Sequence, residues 1–150
     1  MKKILFVMCL TAALFCGCKE SKYEKQAEAY AGPYNGGFTT LLYSTNTTLD
    51  TVKEVTVTQS HSNMENLVME GGFELSRTKE AYVYSNDAPT HEQLESLRKL
   101  CGVAVLDYPQ DIVRFTMEVK FYSMNMTIFV LYYNEDGDAI ARTTFTGTKR

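Results

Sequence analysis

Few side chains in this chain are spaced for chemistry, and the cysteines come closest. There are four, Cys9, Cys16, Cys18 and Cys101, and the first three crowd into the opening eighteen residues. Cys18 directly follows Gly17, the kind of small residue that a signal peptidase needs before its cut. Cys101 stands alone in the rest of the chain, so no internal disulfide can form there, and a lone thiol of this kind is expected to be buried as a small hydrophobe. A nucleophilic role would need a base or positive charge beside it. Arg98 and Lys99 are near in sequence but read as helix-end charges. His61 and His91 are far apart and both fall in polar surroundings, where surface positions are expected. A metal site needs several His, Cys, Asp or Glu at set spacings, and the sequence offers no such set. Asp136 and Asp138 flank Gly137 like a fragment of a calcium loop, but the other ligands and the bidentate Glu are missing, so a tight turn explains them. No Gly-x-Ser-x-Gly is present, and two carboxylates for glycoside chemistry are something any sequence can supply. Neither catalysis nor a cofactor is expected.

The residues that place Cys18 form a targeting segment. Lys2 and Lys3 make a positive head and residues 4–15 are an almost unbroken apolar run. That run is too short for a stable bilayer-spanning helix, which needs about 20 apolar residues, so residues 1–18 are expected to be cleaved. A signal that ends on cysteine resembles the bacterial lipoprotein type, in which the thiol is lipidated before the cut and the cysteine becomes the acylated N-terminus. By that resemblance Cys18 carries the lipid, palmitate included, and anchors the chain in a membrane. Phe15, Cys16 and Gly17 match the usual aliphatic, small, Gly-or-Ala pattern only at the last place. In such lipoproteins of diderm bacteria an Asp after the cysteine often retains the protein at the inner membrane. Lys19 stands there instead, which implies the outer membrane, facing the periplasm or the surface.

Loss of the signal removes two lysines and no acidic residue, taking the formal charge from −3 to −5. An acidic chain is a poor partner for nucleic acid, whose binding rests on neutralised phosphates. Residues 19–31 are polar, mixed in sign and partly helix-prone, and read as a tether. Residues 32–150 suit one domain.

Within that domain the pattern is of strands. Gly32, Pro33, Asn35, Gly36 and Gly37 make a turn-rich opening, and residues 38–44 follow as a strand. A polar turn over 46–50 leads to a strand over 51–59, with Val55 and Val57 on one face. Leu67, Met69, Gly71, Phe73 and Leu75 share a face over residues 65–76, where Gly71 and Gly72 mark either a sharp bend or a turn between two short strands. Residues 81–85 form a further strand. Thr90 with Gln93 has the capping-box spacing, Leu94, Leu97 and Cys101 make one apolar stripe, and Gly102 ends the helix. Strict alternation over 113–121 gives a strand with one wet face. Residues 126–133 are apolar on both faces apart from Thr127. Asp136 and Gly137 signal a hairpin, and the last strand carries Ala141, Thr143 and Phe145 on one side. About eight strands in a meander with one short helix after the fifth predict a mainly β antiparallel barrel, with a two-sheet sandwich as the alternative.

The opening Gly32-Pro33-Tyr34-Asn35-Gly36 resembles the Gly-x-aromatic start of calycins and their small lipocalin-like bacterial lipoprotein relatives, in which the last strand closes back on the first. It departs at Tyr34, where lipocalins proper carry Trp, a residue this chain lacks. The resemblance implies a barrel interior for a small apolar ligand. Phe115, Met117, Phe121, Met126, Phe129 and Tyr132 are the candidate lining, with Tyr82 and Tyr84 beside them. The alternative is an accessory envelope lipoprotein that docks a protein partner through its surface, motivated by the two-sided strand 126–133. Asp50-Thr51-Val52 matches the Asp-Ser/Thr-apolar signal for O-glycosylation in some exported bacterial proteins, at a position expected to be an accessible turn. Replacement of Cys18 by serine should abolish acyl labelling and shift the protein from the membrane to the soluble fraction; retention of both label and membrane attachment would remove the anchor.

Overall fold

A backbone with this alternation needs somewhere to put eight apolar faces at once, and a closed cylinder supplies it. The computed structural model describes residues 20–102 and 111–150; residues 1–18 with Cys18, and Lys19, lie outside the described residues. In chain order the elements are α1 (Lys22–Tyr30), β1 (Gly32–Leu42), β2 (Thr47–Gln59), β3 (Leu67–Met69), β4 (Phe73–Arg77), β5 (Tyr82–Asn86), α2 (His91–Cys101), β6 (Arg114–Tyr122), β7 (Asn125–Tyr133) and β8 (Ala139–Lys149). Each strand pairs antiparallel with the next and β8 pairs with β1, so the sheet is a closed eight-stranded barrel and not a sandwich.

Alternation decides what faces in. Phe115, Met117 and Val119 of β6, Ile128 and Val130 of β7, and Phe145 of β8 are buried, while Glu118, Lys120, Arg142 and Thr144 share the outer side. Apolar inside and polar outside is the reverse of a membrane-spanning barrel, whose outer wall must be apolar. Among the described residues no helix is long and apolar enough to cross a membrane.

Several boundaries differ from the sequence expectation. The opening at residues 32–37 is not a turn but the first half of β1. The turn expected at 46–50 lies at 43–46, closed by Asn46 with φ 53°, and β2 starts at Thr47. Gly71 and Gly72, with φ of 93° and 83°, form the turn between β3 and β4, a conformation that costs glycine nothing.

Two helices are present among the described residues where one was expected. α2 begins and ends as its caps predict, with the Thr90–Gln93 box and Gly102 in the left-handed region. It buries Leu94, Leu97, Leu100 and Cys101 against the barrel, worth about 2 kcal/mol for each leucine. α1 occupies most of the segment read as a tether. Ser21 caps it and Glu24 returns the bond to the Ser21 N–H. Ala27 is fully buried, Tyr30 stacks on Phe121 at 4.3 Å, and Gln59 Nε2 donates to the Glu24 carbonyl. Its partners lie at the starts of β1, β3 and β5 and the ends of β2, β4, β6 and β8, so α1 sits at one end of the barrel. α2 joins the far ends of β5 and β6 and lies over the other.

Gly36 and Gly147 face each other across the β1–β8 seam. A Cβ on Gly36 would fall on the Thr146 carbonyl oxygen and within 2.6 Å of Gly147 Cα and 2.7 Å of the Phe145 ring. Gly36→Ala should therefore cost about 2–3 kcal/mol in urea unfolding. Gly37→Ala, whose Cβ would meet nothing nearer than the Thr51 carbonyl oxygen at 3.7 Å, should stay within about 0.5 kcal/mol.

Candidate functional site

Among the described residues a chain of four polar groups runs through the interior. At the α2 end, Cys101 Sγ lies 3.6 Å from the Tyr132 hydroxyl, which lies 2.9 Å from Thr143 Oγ1, which shares a 2.6 Å hydrogen bond with Thr40 Oγ1. The four groups come from α2, β7, β8 and β1, and all are fully buried. Thr40 and Thr143 meet because the closing register sets them opposite each other. Each oxygen has a partner, so burial costs little. Burial pushes the Cys101 thiol up from an ordinary value near 9 to about 12, against the bond to Tyr132 that acts to lower it. Burial likewise raises Tyr132 well above its ordinary range. Both stay protonated at neutral pH, and a thiol without thiolate character is a poor nucleophile. Thr143 was the polar residue on an apolar face of the last strand, the one sign in the sequence of a buried hydroxyl there.

The predicted lining residues divide. Phe115, Met117, Met126 and Tyr132 face inward and are buried. Phe115 packs edge-on to Phe73 at 6.1 Å and against Tyr84 at 5.6 Å. Phe121 faces inward at the α1 end and is half-buried, among Tyr30, Tyr34 and Tyr82. Phe129 does not belong with them. It is out of phase with Met126 and Tyr132 along β7 and stands on the outer wall between Glu118 of β6 and Thr144 of β8. A strand that is apolar on both faces has no parity signal, so composition alone put Phe129 inside. Tyr34, Phe38 and Phe145, which the sequence reading did not include in the lining, are among the largest buried side chains, with Phe38 and Phe145 in contact at 4.7 Å.

Other candidates are placed as follows. His61 and His91 are exposed. Gly137 and Asp138 donate their N–H groups to the Asn134 carbonyl and side chain, as a hairpin turn requires. Among the described residues no three His, Cys, Asp or Glu could hold a metal ion. Asp50-Thr51-Val52 is not in a turn but within β2. The Thr51 hydroxyl donates to the Gly102 carbonyl at 3.2 Å, and Asp50 accepts from Thr39 at 2.6 Å. A shallow trough of about 460 Å³ runs along the outside there, lined by Gly37, Thr39, Val52, Thr144 and Thr146 among others. Compared with known protein families and with curated proteins, the chain matches none.

The folded state holds the Cys101 proton up to about pH 12 and the unfolded chain loses it near 9. Stability should therefore be level below about pH 9 and fall between 9 and 12. Tyr34, raised by burial from 10 to about 12, adds to the loss above pH 10. Urea midpoints against pH should show this fall, and Cys101→Ala should make it shallower. At pH 8, iodoacetamide should label Cys101 only as fast as the chain unfolds.

Proposed function

We propose that this chain is a lipid-anchored, lipocalin-like lipoprotein of the outer membrane, exported by residues 1–18 and acylated at Cys18, and that it works by docking an envelope protein rather than by catalysis. The observation that carries this is the outer face of β7. Its inner residues Met126, Ile128, Val130 and Tyr132 are consumed by the core, yet Phe129, Leu131 and Tyr133 are also apolar or aromatic and remain partly exposed on the outside. Arg114 lies over the Tyr133 ring at 4.1 Å, Arg142 stands opposite Leu131 and Glu118 opposite Phe129. An apolar stripe rimmed by charge is how protein-docking surfaces are built.

A second role, uptake of a small apolar ligand into the barrel, draws support from Met69, Met117 and Met126. All three are buried in the interior, and methionine repacks around a guest more readily than branched side chains.

The paired substitution Phe129→Glu and Leu131→Glu on the outer wall should leave the urea midpoint nearly unchanged and abolish crosslinks to a partner in intact cells. If the unaltered chain is recovered only as monomer, docking fails. Displacement of a fluorescent fatty acid from the purified protein, sensitive to Met117→Ala and not to the outer pair, would favour the interior ligand instead.

A further inference from the structure

Beside α1, where the chain leaves β4 and enters β5, lies a hollow of about 60 Å³ that none of the foregoing explains. It is lined by Gln26 and Tyr30 of α1, by residues 77–82, and by Val119 and Phe121. A single water needs about 10–15 Å³ on this scale, so there is room for roughly five heavy atoms.

The lining includes the Tyr30 and Tyr82 hydroxyls, Arg77 and Lys79, all of which can donate hydrogen bonds. The Tyr82 hydroxyl is buried, with the residue only 4% exposed, and no acceptor takes its proton. Burial raises the Tyr82 pKa most; Arg77 acts to lower it through its charge and a hydrogen bond, while Tyr30 and Glu65 raise it. A guanidinium can only donate, so it leaves the phenolic proton without an acceptor. The Tyr30 hydroxyl accepts from Gln26 Nε2 at 2.9 Å, which leaves its own proton to give. Arg77 Cζ lies over the Tyr23 ring at 3.5 Å from the centroid. A guanidinium carries five N–H donors, so contact with the ring and with the Tyr82 oxygen still leaves donors for an oxyanion. Neither Arg77 nor Lys79 forms an ion pair among the described residues. Glu80 supplies one negative charge to the rim, so the charged side chains of the lining sum to a single positive charge.

We propose that this hollow binds a phosphate group, with Arg77 and Lys79 neutralising its charge and the Tyr82 and Tyr30 hydroxyls donating to its oxygens. A phosphate group has five heavy atoms and is rich in acceptor oxygens, which is what the unclaimed Tyr82 proton and the two cations can bind. The group can arrive free or on a phospholipid. The lipid source rests on the anchor proposed above. Only Lys19 and Glu20 separate Cys18 from Ser21, a reach of about 10 Å. Ser21 is itself held by its hydroxyl donating to Glu65 at 2.8 Å. An acylated Cys18 would thus keep the α1 end of the barrel at headgroup level. The phosphate site does not depend on that anchor.

The full chain carrying Cys18→Ser, in neutral detergent, is titrated with inorganic phosphate and separately with dihexanoyl phosphatidylglycerol below its micelle concentration, and the thermal unfolding midpoint is followed. At least one of the two should raise the midpoint. The isosteric Tyr82→Phe should weaken that binding about tenfold, the paired Arg77→Gln and Lys79→Gln should abolish it, and the distant Lys53→Gln should leave it unchanged. Tighter binding of the short-chain lipid assigns the site to a headgroup, and equal or tighter binding of inorganic phosphate assigns it to the free ion. No shift with either, or a shift that survives the Arg77 and Lys79 substitutions, overturns the site. Loss of acylation at Cys18 in cells would remove the membrane source and leave the phosphate result standing.

Discussion

Nine residue pairs join β1 to β8, from Tyr34 opposite Lys149 to Leu42 opposite Ala141, and the rest of the molecule depends on that seam. Without it both strands would be edges with unpaired backbone groups, and the inner faces of β1 and β8 would have no opposite wall. The seam passes over Gly36 and Gly147, where the absence of side chains lets the Phe145 ring lie across both. It also brings Thr40 onto Thr143, and through Tyr132 to Cys101, so this buried polar chain exists because the cylinder closes in this register.

An eight-stranded cylinder is wide enough for packed side chains but open at both ends. The two helices answer that geometry. α2 brings a leucine stripe to one end, and Lys53 Nζ donates to the Lys99 carbonyl in its last turn at 2.8 Å, where a cation also suits the helix dipole. α1 brings Ala27 and Tyr30 to the other, where Tyr30, Tyr34, Tyr82 and Phe121 form an aromatic cluster. Lys149 Nζ donates to the Ala29 carbonyl and the Tyr34 hydroxyl to the Tyr30 carbonyl, tying the helix to both strands of the seam. Folding the helix onto the barrel turns most of the polar segment before the first strand from a spacer into part of the domain.

That change moves attention from the interior to the outside. Rings and methionines occupy the inner positions, and the groups left with something to offer lie on the outer wall of β7 and in the hollow beside α1. The first presents apolar surface framed by charge and the second the Tyr30 and Tyr82 hydroxyls beside Arg77 and Lys79. The buried thiol, the group most suggestive of reactivity in the sequence, is held neutral by the same burial that makes it useful to the core.

Periodicity made much of this legible. The alternation from Val113 to Phe121, the face shared by Leu67, Met69, Phe73 and Leu75, and the box from Thr90 to Gln93 are local patterns that burial rewards directly, and each appears in the structure as expected. Cys101 was legible for the same reason, as a member of the α2 stripe. What could not be read locally required a partner distant in sequence. The glycines near residue 36 look like a turn until Phe145 and Gly147 lie against them, and Phe129 looks like core until the phase of β7 is set by its neighbours on both sides. α1 offers too few apolar residues to announce itself as packed until Phe121 supplies a face for Tyr30. The sequence determined which residues alternate and where α2 begins and ends, because those depend on neighbours a few residues away. Tertiary structure alone decided the closing register, the buried hydroxyl chain and the unpaired Tyr82 donor, because each depends on groups that only the closed barrel brings together.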